Sequence, residues 1–133
     1  MTVVVDSSAM IAVLFGEPDA RFYAGALTKQ VGDLHVSAVS VVETGMVVES
    51  RLGAGSAADL QTLISRLSMQ VEPVTPAQAD LAIRAWRRFG KGRHPARLNL
   101  GHCFSYALAI SLGARLLYKG DDFSQTDVSA ALS

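Results

Sequence analysis

Thr2-Val3-Val4-Val5-Asp6-Ser7-Ser8-Ala9-Met10 places a threonine and three valines directly ahead of an acid and two hydroxyl residues. Four β-branched residues in a row, closed off by polar ones, predict a short strand buried on both faces, as in a parallel sheet. Asp6 then falls at the carboxyl end of that strand, the edge where open α/β sheets place their ligands. Ser7 or Ser8 can cap a following helix, which Ala9 to Phe15 supplies. A second reading stays open: Asp is itself a frequent helix cap, so Asp6 serves either a bound cation or the first N–H groups of the helix.

The bulk numbers suit a single domain over residues 1–133. Half of the residues are hydrophobic and mean hydropathy is positive, which implies a compact fold with a real core. No apolar run approaches the roughly 20 residues of a membrane-spanning helix, and the start lacks the basic n-region of a signal peptide. Cys103 stands alone, which excludes an intramolecular disulfide and a cysteine zinc site. The expectation is a cytoplasmic protein that makes no membrane contact.

Net charge is zero, but the charges are segregated. Between Leu81 and Gly120 there is no Asp or Glu, while Arg84, Arg87, Arg88, Lys91, Arg93, Arg97, Arg115 and Lys119 fall there, eight of the twelve basic residues. Such a face suits a polyanion, and a merely solvated helix face explains Arg84, Arg87 and Arg88 equally well.

Outward from the first strand, Gly16-Glu17-Pro18-Asp19 breaks one helix and starts another, with Asp19 as cap. Leu34 to Ser37 reads as a strand, and Ser37 or Ser40 caps a helix running to about Leu52. Ser56 opens a helix with Leu60, Leu63, Ile64 and Leu67 at helical spacing. Met69 to Val74 reads as a strand whose Pro73 suits an edge. Thr75-Pro76-Ala77-Gln78 is a capping box with proline in the first turn, and its helix runs to Phe89. Lys91 to Asn99 is a basic loop, Leu100 to Leu112 a helix stopped by Gly113, and Arg115 to Tyr118 a strand. Thr126-Asp127-Val128 is a candidate last strand. Met46, Met69 and Phe104 are assigned to the core, and Trp86 to the core or a dimer surface.

Strands alternating with helices imply an α/β fold, a mostly parallel sheet covered on both faces. In such a sheet Asp6 and the pair Asp121–Asp122 come to one carboxyl edge, and Glu43, early in the helix after the second strand, can face it too. Gathered carboxylates repel unless a cation or a shared proton lies between them. With oxygen donors that cation is Mg²⁺ or Mn²⁺, an ion able to activate water and offset charge on a phosphodiester. A receiver-like or phosphatase α/β domain also uses acids at strand ends, but it would want a phospho-acceptor Asp on a central strand.

Val4-Val5-Asp6-Ser7-Ser8-Ala9, Ser40-Val41-Val42-Glu43-Thr44, Lys91-Gly92-Arg93-His94, Leu98-Asn99-Leu100-Gly101, Cys103 to Ala109 and Lys119-Gly120-Asp121-Asp122-Phe123 resemble, in order, the VapC-type toxins of the PIN-domain family. The resemblance covers nearly the whole chain. It implies a three-layer α/β/α sandwich that cuts RNA with Mg²⁺ or Mn²⁺, a tRNA or other structured RNA as substrate, neutralisation by a cognate antitoxin, and a homodimer. Asp6 matches the first acid of the pattern and Glu43 the second. The last falls within Asp121 and Asp122, with Asp122 favoured because it precedes the phenylalanine.

The third acid does not match. Where the family reads Asn-x-Gly-Asp-Cys, this chain reads Asn99-Leu100-Gly101-His102-Cys103. A neutral imidazole removes a charge and suits Mn²⁺, Zn²⁺ or Ni²⁺ better than Mg²⁺. His102 then either ligates the ion beside Asp6, Asp122 and Glu43 or points unligated at a substrate phosphate. At the opening turn of a helix, the positive dipole end should lower its pKa. The result is a weakened or retuned nuclease, or a catalytically impaired module that still binds RNA or antitoxin. Arg93 and Arg97, helped by Lys91 and His94, are the candidates for RNA phosphates. Lys119 contacts RNA or softens the acid pair. Ser7 or Ser8 supports the site from a second layer, and Asn99 either contacts substrate or anchors the loop. A Cys103–His102 nucleophile is disfavoured, because adjacent helix positions point about 100° apart.

Overall fold

The computed structural model describes residues 1–131. Strand β1 (Val3–Val5) is central: it pairs in parallel with β2 (Leu34–Ser37) on one side and β4 (Arg115–Leu117) on the other. A third strand, β3 (Gln70–Glu72), adds in parallel to β2, giving the sheet order β3-β2-β1-β4. Successive strand side chains point to opposite faces, and the valines obey this. Val3 and Val5 pack with the helices α1 (Ser7–Leu14), α2 (Ala20–Lys29) and α4 (Ala57–Arg66), while Val4 packs with α5 (Pro76–Phe89) and α6 (Leu100–Leu112). All three valines are essentially inaccessible. That is the α/β/α sandwich expected from the run of valines, and helix α3 (Ala38–Leu52) bridges it by touching both α1 and α6.

The helix starts follow their capping chemistry. Ser37 Oγ accepts from Val39 N, Thr75 Oγ1 from Gln78 N and Asn99 Oδ1 from His102 N. Gly113 closes α6 in the left-handed region at φ 60°, which glycine adopts without strain. Because β1 has neighbours on both sides, the sheet order reverses beside it, and a crevice opens at the carboxyl ends of the strands. Asp6 lies there directly after β1.

The cap of α1 is Asp6, as the second reading of that residue had it, and Ser7 and Ser8 lie within the first turn. Four other expectations are corrected. Asp19 precedes α2 without capping it through its side chain, since its carboxylate holds Lys119 instead. The strand expected over Met69 to Val74 shrinks to Gln70–Glu72. Thr126 to Val128 forms no strand: Thr126 closes a turn on Phe123, and the described tail meets β4 through a bridge between Leu116 and Ala130. Met46 is 68% exposed, because its position on α3 faces away from the sheet, whereas Met69 is buried as expected. No helix among the described residues is long and apolar enough to cross a membrane.

Candidate active site

Asp6 is fully buried, and its side chain makes the helix cap while its other oxygen reaches the crevice. Its Oδ2 accepts from Ser8 N at 3.0 Å, the capping bond, and from Ser8 Oγ at 2.7 Å. Its Oδ1 turns to the crevice and accepts from Ser105 Oγ at 2.6 Å and from His102 Nδ1 at 3.2 Å. One carboxylate thus divides two tasks between its two oxygens. Ser8 Oγ in turn accepts from Lys119 N at 3.0 Å, which ties the end of β4 to the first turn of α1.

His102, on the first turn of α6, joins the acids. Its Nδ1 faces Asp6 and its Nε2 lies 3.4 Å from Asp122 Oδ2. The ring edge packs on buried Phe123 with centroids 4.7 Å apart. Of the two adjacent acids, Asp122 is the one drawn to the site, while Asp121 is exposed. Glu43, on α3, accepts from Ser7 Oγ at 2.7 Å, and its carboxylate lies so close over Gly101 that a Cβ there would collide with it. The absence of a side chain at residue 101 is what lets α3 and α6 bring Glu43 beside His102.

Burial by itself would push the His102 pKa down and the Asp6 pKa up. For His102, the hydrogen bond to Asp6 and the charges of Asp6, Asp122 and Glu43 outweigh burial and hold it above the ordinary value of 6.5. For Asp6, the hydrogen bond and charge of His102, with the bonds from Ser105 and Ser8, hold it below its ordinary 3.8. The expected lowering of His102 by the helix terminus is therefore reversed, because a buried carboxylate at hydrogen-bond distance is a stronger field than a helix end. Cys103 beside it is buried, and burial pushes its thiol up to about 11, so it is no nucleophile.

The basic residues separate. Arg93 stands over the Trp86 ring at 4.6 Å and donates from Nε to Arg87 O. Arg97 is exposed with a left-handed backbone, φ 57°, and Lys91 is exposed at the rim of an apolar groove between α5 and α6. Lys119 is corrected: its Nζ pairs with Glu17 at 2.9 Å and Asp19 at 3.0 Å, not with the acid pair that follows it in sequence. Asn99 anchors the loop through its cap, as one of the two readings had it. Ser105 was not anticipated, although it had a usable signal, since it lies three residues after His102 and so on the same face of the helix.

Oxygen donors gathered at one edge suit a hard divalent ion in kind, but their arrangement does not. Asp6 accepts four hydrogen bonds, the imidazole is interposed between Asp6 and Asp122, and among the described residues no three His, Cys, Asp or Glu side chains are grouped to share one ion. As they stand, these residues do not fit Mg²⁺ or Mn²⁺.

Acids and a histidine thus meet at the carboxyl edge of a parallel α/β/α sheet, and comparison with known proteins identifies the family that shares this fold. The PIN domain profile matches residues 3–129. This chain belongs to the PIN-domain family. Within that family it is similar to a ribonuclease VapC of Mycolicibacterium smegmatis, 46% identical over 127 residues that cover 96% of this chain and 98% of the relative. It is also similar to ribonuclease VapC28 of Mycobacterium tuberculosis, 47% identical over 97% of both chains. The PIN fold is shared with solved structures. One is Mycobacterium tuberculosis VapC20, described as a sarcin-ricin loop cleaving toxin, with TM-score 0.77, 22% identity and 96% of each chain covered. Another is the DNA-bound VapBC of Salmonella typhimurium, with TM-score 0.78, 14% identity, and 98% of this chain and 96% of that one covered.

Proposed function

We propose that this PIN-domain chain, acting as one domain over residues 1–133, is a VapC-type endoribonuclease toxin of a toxin–antitoxin pair. One observation carries the reading: Asp6, Glu43, His102 and Asp122 come from four separate parts of the chain to one sheet edge. The names of its relatives, ribonuclease VapC at 46 and 47% identity over nearly the full length, supply the substrate class, RNA.

Hydrolysis of a phosphodiester needs a group that orients water and positive charge that holds the phosphate. Glu43, half-buried and fixed by Ser7, is the carboxylate placed to accept a proton from water. Arg97 and Lys91, exposed on the loop before α6, supply phosphate contacts, and Arg93 presents its guanidinium from the face of Trp86. Mg²⁺ or Mn²⁺, the ion expected from the sequence, would need the His102 ring to leave the space between Asp6 and Asp122. The finer proposal is that this activity is weakened by His102, since the acids are engaged with its ring.

The ring bridging Asp6 and Asp122 favours a second reading, a catalytically impaired module of the same fold that binds RNA or a cognate antitoxin. Incubating RNA with this chain and Mg²⁺ or Mn²⁺, beside the His102→Asp variant, separates the two. Cleavage by the unaltered chain supports the nuclease, and binding with cleavage only after His102→Asp supports the module. If neither chain cleaves, the ribonuclease reading fails.

Partners follow from the same reading. VapBC complexes are among the structures of this fold, and we extend the proposal to a cognate antitoxin and to a homodimer in the cytoplasm. Val42, Met46, Ile83, Trp86 and Leu100 are exposed apolar side chains on α3, α5 and α6, a surface that suits association. Size-exclusion chromatography with light scattering tests the dimer.

A further inference from the structure

A carboxylate offers about four lone-pair positions, and Asp6 has all four in use. Ser8 N, Ser8 Oγ and Ser105 Oγ take three of them, and each also serves the fold: Ser8 N donates the cap bond of α1, Ser8 Oγ receives Lys119 N, and Ser105 meets Ser40 on α3. The fourth is taken by His102 Nδ1. We propose that His102 is a built-in plug, whose ring takes the one Asp6 position that opens toward Asp122 and so keeps a divalent cation out of the pocket.

The ring is held where a plug must be held. Asn99 fixes its backbone N–H, Phe123 supports its edge, Nε2 rests on Asp122, and the side chain is only 12% exposed. Its orientation is also wrong for a ligand. A histidine that coordinates a metal turns one nitrogen lone pair to the ion and donates from the other, but here Nδ1 faces Asp6 and Nε2 faces Asp122, so neither nitrogen is left for an ion. Two carboxylate oxygens that share one Mg²⁺ at about 2.1 Å each lie within roughly 4 Å of one another. An imidazole with one nitrogen on each acid stands in the space such an ion needs. Glu43 adds a third carboxylate beside the ring, so displacing His102 leaves acids that repel until a cation arrives.

This inference rests on reading Asp6 and Asp122 as the acids of the pocket, and its test separates the two ideas. Mn²⁺ alone is titrated into the full chain, with the free ion followed by electron paramagnetic resonance. The chains compared are the unaltered protein, His102→Ala, His102→Asp, and His102→Ala combined with Asp6→Asn. A plug predicts that His102→Ala binds Mn²⁺ at least about tenfold more tightly than the unaltered chain, although a possible ligand has been deleted. His102→Asp should bind more tightly still, and Asp6→Asn should cancel the gain. Should His102→Ala fail to fold, His102→Asn carries the same expectation. Binding by the unaltered chain as tight as by His102→Ala, or weaker binding after the ring is removed, overturns the plug and leaves the acids as a cation site. Failure of every variant to bind, His102→Asp included, overturns both.

Discussion

Ser105 Oγ donates to Asp6 Oδ1 at 2.6 Å from the same face of α6 that carries His102, so two donors one turn apart converge on a single buried oxygen. The bond is charge-assisted and fully enclosed, and deleting it strips the carboxylate of one of four partners. Ser105→Ala should therefore cost roughly 1.5–3 kcal/mol of folding free energy. Ser40 Oγ, 3.2 Å from Ser105 Oγ, loses its partner in the same variant. Urea denaturation measures the loss, and a change below about 0.5 kcal/mol would show that Ser105 does not hold Asp6.

The His102–Asp6 pair makes stability depend on pH in a definite sense. His102 is raised in the folded chain, so its contribution is complete below its unfolded value of about 6.5 and fades as pH rises through the folded value. Asp6 is lowered, so its contribution is complete above about 3.8 and fades as pH falls through its folded value. The two titrate as one unit. The stability difference between the unaltered chain and His102→Asn should peak between these limits and shrink as pH rises through the folded value of His102. Urea midpoints taken across that range test it, and a flat difference contradicts the pairing.

Gly101 gives a variant that separates fold from site. A Cβ at this position meets the Glu43 carboxylate, the free end of a flexible side chain, so the glutamate can yield without the backbone moving. Alanine is also the better helix former, by up to about 1 kcal/mol. Gly101→Ala should leave the melting temperature level or slightly raised, yet pull Glu43 from Ser7 Oγ. RNA cleavage, measured with His102→Asp in the same chain, should fall as far as it does in Glu43→Gln. A variant that keeps full cleavage would remove Glu43 from the chemistry.

Cys103 offers a check on packing. With its thiol 2% exposed and pushed up to about 11, it should resist a thiol reagent at about pH 8 in the folded chain and react as one equivalent once unfolded. Rapid reaction of the native protein would mean that α6 opens locally.

Local chemistry carries much of this fold, which is why it could be read in advance. Three valines between polar residues define β1, and Ser37 and Thr75 announce helices through their own side chains. The α/β/α layering follows from the alternation of Val3, Val4 and Val5 between two cores. What escaped depends on distance in the chain. Lys119 has acids beside it at residues 121 and 122 yet pairs with Glu17 and Asp19, because β4 ends beside the loop after α1. The direction of the His102 shift is set by Asp6, 96 residues away, and not by the helix it starts. Met46 looks like core by composition, but nothing in the sequence says which face of α3 meets the sheet.

The rearrangement at Lys119 also divides the basic segment into residues that can grip RNA and one that is engaged elsewhere. Lys119 is held by two carboxylates, whereas Arg97 is exposed on the loop that leads into α6. A phosphate contact releases counterions, so losing one reduces the slope of log K against log salt by roughly 0.7 to 0.9. Arg97→Ala should weaken binding of an RNA across sequences and reduce that slope by about one contact. Lys119→Ala should change affinity less than about twofold and leave the slope alone. Both are read by fluorescence anisotropy with labelled RNA in EDTA, so that cleavage does not intrude. The reverse pattern, a slope that falls with Lys119→Ala and holds with Arg97→Ala, would place the RNA path along α1 and away from the loop before α6.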